Sequence, residues 1–471
     1  MDQDIVLWIV VGTALAFDFT NGFHDTANAM ATSIASGALR PRVAVLLAGV
    51  LNLIGAFLSV QVALTISSGL VDEARIIPEV IFGGLVGAIL WNLITWLLGM
   101  PSSSSHALFG GLIGATWVFA GTGAINFSTV AGKLLVPLAL SPIVAGVVAL
   151  SATWIVYRIA ARGHRRTVTR GFRAAQVVSA SMVALAHGTN DAQKTMGVIT
   201  LTLITVGLLP TGSAPPMWVI VAAGLAIAAG TAMGGWRIIH TMGRRISDVE
   251  TPQGFAAETA GAAVILSAAH LGFALSTTQV AAGAGRRVGR RPRYGRGPLA
   301  GGGPDGGDVV AHPALRGGDG RLGGLGRHRR HDGHRARRRR AGCRLRRHLR
   351  PVAAQAGHGR QRQRTAGPAP ATGGATGRAR PRGGVRRGIV MSIHWGSLLA
   401  VFLVSLGSAV AVVVLVALAM LGLSAGTAVA DGPRTSTPPR RARVAGTTAA
   451  GACLAVAAAI VLFGLWVVVA K

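Results

Sequence analysis

Gly22-Phe23-His24-Asp25-Thr26-Ala27-Asn28 and Gly188-Thr189-Asn190-Asp191-Ala192-Gln193-Lys194 are two versions of one pattern. Aligned on glycine, Asp25 matches Asp191, His24 matches Asn190, and Asn28 matches Lys194. Each lies among apolar runs, where an aspartate is costly unless it is paired or hydrated. A hydroxyl cluster follows each pattern downstream: Pro101-Ser102-Ser103-Ser104-Ser105-His106 after the first, Leu275-Ser276-Thr277-Thr278-Gln279 after the second. Glycine ahead of each Asp is read as a break in a helix that frees backbone groups to face a cavity.

Around these motifs the chain is strongly apolar. It has 471 residues, 51% of them hydrophobic and only 13% charged, with a mean hydropathy of +0.50. Apolar segments fall near 5–18, 43–66, 80–99, 107–120, 134–157, 174–186, 196–209, 217–235 and 257–275, with two more at 397–424 and 447–470. All are expected to be helices, because backbone exposed to lipid must satisfy its own hydrogen bonds. The run Ile5 to Leu15 leads into polar residues rather than a cleavage site, so no signal peptide is expected. Cys343 and Cys453 support neither a disulfide framework nor a metal site.

Orientation follows from Lys and Arg. The arginines of 158–173, Arg40 with Arg42, and Arg237 with Arg244 and Arg245 mark cytoplasmic loops. The loops 67–79 and 209–216 fit the outside. Helix 1 then runs inward and the helix after the basic loop runs outward. Shared motifs in halves of opposite topology are the signature of an inverted-repeat transporter.

The polar residues have a bland reading, as hydrogen-bonding glue between helices, and a Ser-rich turn taken singly is more often a helix cap. The symmetric pair argues for more. At the tips of two re-entrant hairpins, Ser103, Ser104, Ser105 and Ser276, Thr277, Thr278 would open half-helices whose free N–H groups and positive dipole ends face each other, an oxyanion cradle without Arg. Asp25 and Asp191 would accept the O–H of hydrogen phosphate, which sulfate lacks. The same carboxylates, with Asn28, Asn190 and backbone carbonyls, could hold a coupling cation. A proton on an Asp or on His24 would serve equally. Lys194 could balance Asp191 or touch the anion. His106 and Gln279 complete the candidates at the two hairpins. No cofactor, resident metal or covalent chemistry is expected.

These motifs strongly resemble the PiT family of inorganic phosphate transporters, over about residues 1–281. Gly254-Phe255-Ala256-Ala257-Glu258-Thr259 looks like that family too, which adds Glu258 to the candidates. The resemblance implies an all-α integral membrane protein of two inverted repeats with re-entrant helical hairpins, in which phosphate is held by the two tips and the two motif aspartates. It further implies a multi-pass protein of the cytoplasmic (inner) membrane that couples phosphate to a cation. Bacterial members of this type are usually proton-coupled and can take phosphate as a neutral complex with a divalent metal; others use sodium. A homodimer is one assembly it allows. Gln279 stands where many members have His.

After Val280 the pattern stops. Residues 282–390 hold 28 Arg, 4 Asp and no Lys or Glu, and so carry +24 of the chain's net +31. There is no Met between Met242 and Met391, and 282–390 holds no apolar run long enough to span. A disordered basic linker or a nucleic-acid or anionic-lipid arm is conceivable, but the segment lacks the interleaved aromatics of a binding module, and no nucleic-acid partner is expected. A frameshift in a GC-rich coding region fits better. The expected organisation is a first repeat with its basic loop over 1–173, an incomplete second repeat over 174–281, an out-of-frame 282–390, and a read-through two-helix membrane segment over 391–471. Rival functions are transport of another oxyanion such as sulfate, a frameshifted remnant without activity, and an intramembrane hydrolase, for which no His-Asp orienter accompanies Ser105-His106. Resequencing the locus in an independent isolate should reveal a displaced frame beginning near Val280; an uninterrupted frame there would overturn the reading.

Overall fold

The computed structural model describes residues 3–163, 165–245, 250–288, 395–427 and 440–469. The described residues form helices and turns, with one isolated antiparallel bridge between Val71 and Ile125. The Arg/Gly-rich stretch from 289 and the expectations placed on it lie outside the described residues.

In chain order the helices are α1 (Gln3–Ala35), α2 (Pro41–Ala56), α3 (Gln61–Gly69), α4 (Pro78–Leu97), α5 (Ser104–Ala120), the short α6 (Phe127–Thr129), α7 (Val136–Ala160), α8 (Arg165–Thr205), α9 (Met217–Met233), α10 (Trp236–Arg245), α11 (Thr251–His270), α12 (Thr277–Val288), α13 (Trp395–Thr427) and α14 (Arg440–Val469). A π-helical turn (Val130–Leu135) joins α6 to α7 in one span, Phe127–Ala160. Five spans are long and apolar enough to cross a bilayer, and α2 with α3, bent by 64°, could make a sixth. Large apolar side chains such as Trp8, Leu46, Trp91, Leu97, Trp117 and Phe119 are exposed on the outer surface, as lipid contact requires. This is an all-α membrane protein.

Two hairpins organise the centre. Gly99, at φ 64°, turns the chain after α4, and Gly272, at φ 71°, turns it after α11; glycine adopts this left-handed conformation at little cost. An extended stretch follows each turn, and then a short helix begins, α5 at Ser104 and α12 at Thr277. At 17 and 12 residues, α5 and α12 are about 25 and about 18 Å long, short of the roughly 30 Å of hydrocarbon. α12 packs on α7 at Pro142, which lies inside that helix, and the Gly283 backbone lies directly on that of Pro142. Pro142 cannot donate to the Leu138 carbonyl; the Ser141 hydroxyl does so instead, at 3.2 Å.

Several sequence expectations are corrected. The helix does not break at Gly22 or Gly188: both lie inside continuous helices, α1 and α8. The glycines serve close packing instead. A Cβ on Gly22 would run into the Ile227 carbonyl of α9, and one on Gly188 into the Asn52 carbonyl of α2; reciprocally, Gly230 faces the Phe19 carbonyl and Gly55 the Leu185 carbonyl. The runs 174–186 and 196–209 are not two helices, for α8 carries the polar motif through its buried middle. The run 43–66 is not one helix, because Gln193 of α8 accepts from the backbone N–H of Val62 at 2.8 Å and so caps a fresh start at α3. Most of the presumed loop 158–173 is helix as well, since α8 begins at Arg165 and arginine is a good helix former.

α13 packs against α7, α8 and α11. Its Val401 and Ala409 join the apolar cluster that holds Val148, Val264 and Val280, and the Ser405 hydroxyl donates to the Ala263 carbonyl at 3.4 Å.

Because the α1–α9 and α2–α8 crossings leave no room for a side chain, Gly22→Val and Gly188→Val should each cost about 1–3 kcal/mol or more. A fall of the detergent-solubilised melting temperature by several degrees would report it. Gly12→Ala, where a Cβ meets nothing within 4 Å, should leave the melting temperature unchanged.

Candidate functional site

The two motif aspartates and both hydroxyl clusters meet at one buried place. Asp25, about two-thirds of the way along α1, and Asp191, about two-thirds along α8, are 1% and 0% exposed. The tips of the two hairpins cover them. Ser104 donates to Asp25 Oδ2 at 2.8 Å. Thr277 Oγ1 stands between the carboxylates, 3.5 Å from Asp25 Oδ2 and 3.3 Å from Asp191 Oδ2. Thr278 Oγ1 lies 3.4 Å from Asp25 Oδ1.

Contacts around this centre come in exchanged pairs. Lys194 donates to Ser105 Oγ at 2.6 Å, and its counterpart Asn28 donates to Thr278 Oγ1 at 2.8 Å. Ser105 donates to the Leu275 carbonyl at 3.2 Å, and Thr278 to the Ser102 carbonyl at 3.0 Å. Ser103 and Ser276, the residues on which the clusters align, hydrogen-bond each other at 2.7 Å. Each also caps its own helix: Ser103 Oγ accepts from His106 N and Ser276 Oγ from Gln279 N, both at 3.3 Å. The capping role therefore holds for these two, while Ser104, Ser105, Thr277 and Thr278 face the charged groups.

Charges inside this core are compensated locally. Lys194 Nζ is 2.5 Å from Asp191 Oδ1, and His187 Nε2 is 3.1 Å from Asp191 Oδ2. Asn190 donates to Asp191 Oδ1 at 2.7 Å and to the Leu275 carbonyl at 3.1 Å. His24 Nδ1 is 2.8 Å from Asp25 Oδ1, and its Nε2 reaches Thr95 at 3.1 Å and Ser102 at 3.2 Å. Asp25, His187 and Asp191 each bring one donor atom within 4.8 Å of the others, a set able to hold a cation.

Three candidates stand elsewhere. His106 is exposed, and among the described residues its side chain makes no hydrogen bond or salt bridge to the aspartates. Gln279 is half-buried, and its side-chain oxygen has no hydrogen-bond partner. Glu258 belongs to a separate cluster, accepting from Thr32 and Ser179 at 2.5 Å each and from Gln176 at 3.2 Å. A cavity of about 40 Å³ lined by Asn28, Thr32, His187, Glu258 and Thr277 lies between that cluster and the aspartates.

The sequence reading missed His187, Asn21 and Thr95. His187 precedes Asp191 by four residues, so one turn of unbroken helix brings it to the same face; the presumed break at Gly188 hid this. Asn21 donates to Asp191 Oδ2 at 3.4 Å. Asn52 donates to Thr231 at 2.7 Å, tying α2 to α9 behind the site. The partners of Asn21 and Asn52 lie far along the chain and leave no trace in local pattern.

The profile of the phosphate transporter family matches residues 21–290. A protein of Mycobacterium bovis described as "Probable low-affinity inorganic phosphate transporter" is 58% identical over 291 residues, covering 61% of this chain and 70% of its own length. A protein of Bacillus subtilis with the same description is 43% identical over 296 residues, covering 62% and 89%. A solved structure described as a sodium-dependent phosphate transporter superposes with a TM-score of 0.53 at 22% identity, over 62% of this chain and 92% of that one; at that identity the likeness concerns the fold alone.

Removing the Lys194 ammonium would strip Asp191 of its closest cation. Lys194→Met should destabilise the protein by about 3 kcal/mol, and adding Asp191→Asn should recover most of that loss. Thermal unfolding of the single and double variants in detergent checks both expectations.

Proposed function

Because the chain belongs to the phosphate transporter family, we propose that this inorganic phosphate transporter holds its anion between the first turns of α5 and α12. It works as a cation-coupled symporter in the cytoplasmic (inner) membrane. As a member of that family it is a transporter and not an enzyme. The observation that carries the binding reading is the convergence of two helix starts, four inward hydroxyls and Lys194 on a pair of buried carboxylates. Helix N-termini and hydroxyls supply donors to an oxyanion, and Lys194 supplies charge. Asp25 and Asp191 supply acceptors, which only an oxyanion bearing an O–H can use. Asn28 and Asn190 hold Thr278 and Asp191 in place.

Selectivity for phosphate over sulfate follows from that mixture. Sulfate would set its oxygens against the carboxylates with no proton between, leaving buried acceptors unpaired. In this reading the coupling ion is a proton, and the set Asp25, His187 and Asp191 accommodates a divalent metal arriving as a phosphate complex. Sodium is the rival coupling ion, because the superposed structure is described as sodium-dependent.

The exchanged contact pairs favour two inverted repeats, 1–173 and 174–281, related by an axis through the Ser103–Ser276 contact. The family match ends at residue 290, nine residues inside the stretch 282–390; a frame change close to that end, with a neighbouring coding region for 391–471, is the reading we favour.

Uptake of labelled phosphate by vesicles carrying the full chain tests the function. Proton and sodium gradients applied separately, with and without magnesium, should show accumulation under the proton gradient and stimulation by magnesium. Asp25→Asn and Asp191→Asn should each lower phosphate uptake roughly tenfold or more, the value of a hydrogen bond to a buried charge. Unchanged preference for phosphate over sulfate in both variants would refute the role given to the carboxylates. Absence of uptake by the parent chain in a phosphate-transport-deficient host would mark it as an inactive remnant.

A further inference from the structure

Asp18 is a third carboxylate in the same core, and no part of the phosphate site uses it. It lies in α1 two turns before Asp25 and is 0% exposed. Neither of its oxygens has a hydrogen-bond partner, and among the described residues no salt bridge reaches it. Such a group is rare in a folded protein, because an unpaired buried carboxylate carries its full desolvation penalty.

Its surroundings are equally unsatisfied. Asn21 and Thr195 face the Asp18 carboxyl, and Asn21 Oδ1 and Thr195 Oγ1 also lack partners. Four orphaned oxygens from α1 and α8 thus gather at one buried point. Asn21 Nδ2 donates to Asp191 Oδ2 at 3.4 Å, and its Oδ1 accepts nothing. The charged groups that act on Asp18 are Asp191, which repels it, and Lys194, which attracts it. Lys194 is committed to Asp191 and Ser105. His24 and Asp25 lie further along α1 and pair with each other. Of the other helices packed on α1, α9 contains no titratable side chain and α4 only Glu79, in its first turn; Arg42 of α2, His106 of α5, Arg237 and His240 of α10, and Glu258 and His270 of α11 are not among the charges that act on Asp18.

We propose that Asp18, Asn21 and Thr195 form a binding site for the monovalent cation that moves with phosphate. The proposal rests on the transport reading above and gives the coupling ion a place separate from the anion. All-oxygen donors with one formal negative charge suit a small hard cation, sodium or a proton held by the carboxyl. A cation there supplies the positive charge this corner of the core lacks. It also offsets the repulsion between Asp18 and Asp191, leaving Lys194 free to meet the incoming anion. Occupancy at Asp18 and affinity for phosphate are thereby linked through Lys194.

The test uses the full chain in proteoliposomes, with phosphate uptake measured while sodium is varied at fixed pH, and while pH is varied without sodium. Asp18→Asn should lower gradient-driven accumulation roughly tenfold or more and flatten its dependence on whichever cation drives the parent, with Asp18→Glu restoring that dependence. Thr195→Val should raise the half-saturating cation concentration several-fold, while the phosphate KM at saturating cation stays within about twofold. Parent-like accumulation by Asp18→Asn, or an unshifted cation dependence in Thr195→Val, overturns the site. If Asp18→Asn fails to give a monodisperse protein, the Thr195→Val comparison decides alone. If the parent itself moves no phosphate, the transport reading fails, and the site is then judged by melting temperature. A rise with sodium or with falling pH that Thr195→Val abolishes supports it, and no cation-dependent rise overturns it.

Discussion

A carboxylate buried among apolar helices needs a cation or several donors within reach, and this core holds two such carboxylates side by side. Asp25 and Asp191 draw Lys194, two histidines, two asparagines and the hydroxyls of both hairpins to one point. The donors come from α1, α5, α8 and α12, so the tips of the hairpins are secured through the charges they cover. Sheet pairing does not enter.

The geometry depends on how closely the supporting helices approach. Carbonyls of α9 and α2 sit against the α carbons of Gly22 and Gly188, and the arrangement is reciprocated at Gly230 and Gly55. In a bilayer there is little hydrophobic drive to press helices together, so small residues and interhelical hydrogen bonds carry the packing. The Asn52–Thr231 bond belongs to the same device. Close crossings of this kind fix the rotation of α1 and α8 about their axes, and that rotation aims both aspartates at the hairpin tips.

Continuity of α1 and α8 has a further consequence. An unbroken helix sets residues three, four and seven apart on related faces, so Asp18, Asn21 and Asp25 follow one another down α1, and His187, Asp191 and Thr195 down α8. The polar centre is therefore a column rather than a point. Phosphate-directed groups occupy its hairpin end, and the unpartnered oxygens around Asp18 occupy the other.

Much of this was legible in the sequence. Paired motifs at Asp25 and Asp191 and paired clusters at Ser103–Ser105 and Ser276–Thr278 named most of the centre, because an aspartate in an apolar run is expensive and its recurrence needs a reason. Glycine was the ambiguous letter: at Gly99 and Gly272 it turns the chain, and at Gly22 and Gly188 it admits a neighbouring backbone. Composition cannot separate these uses, since both follow from a missing Cβ. Only the packed structure decided between them, and with that came the single long α8, the start of α3 under Gln193, the entry of His187 and the displacement of His106 and Glu258. The sequence by itself determined which residues could carry charge and hydrogen bonds into the membrane. Which of them meet was decided by helix rotation and close approach, properties that arise between segments far apart in the chain.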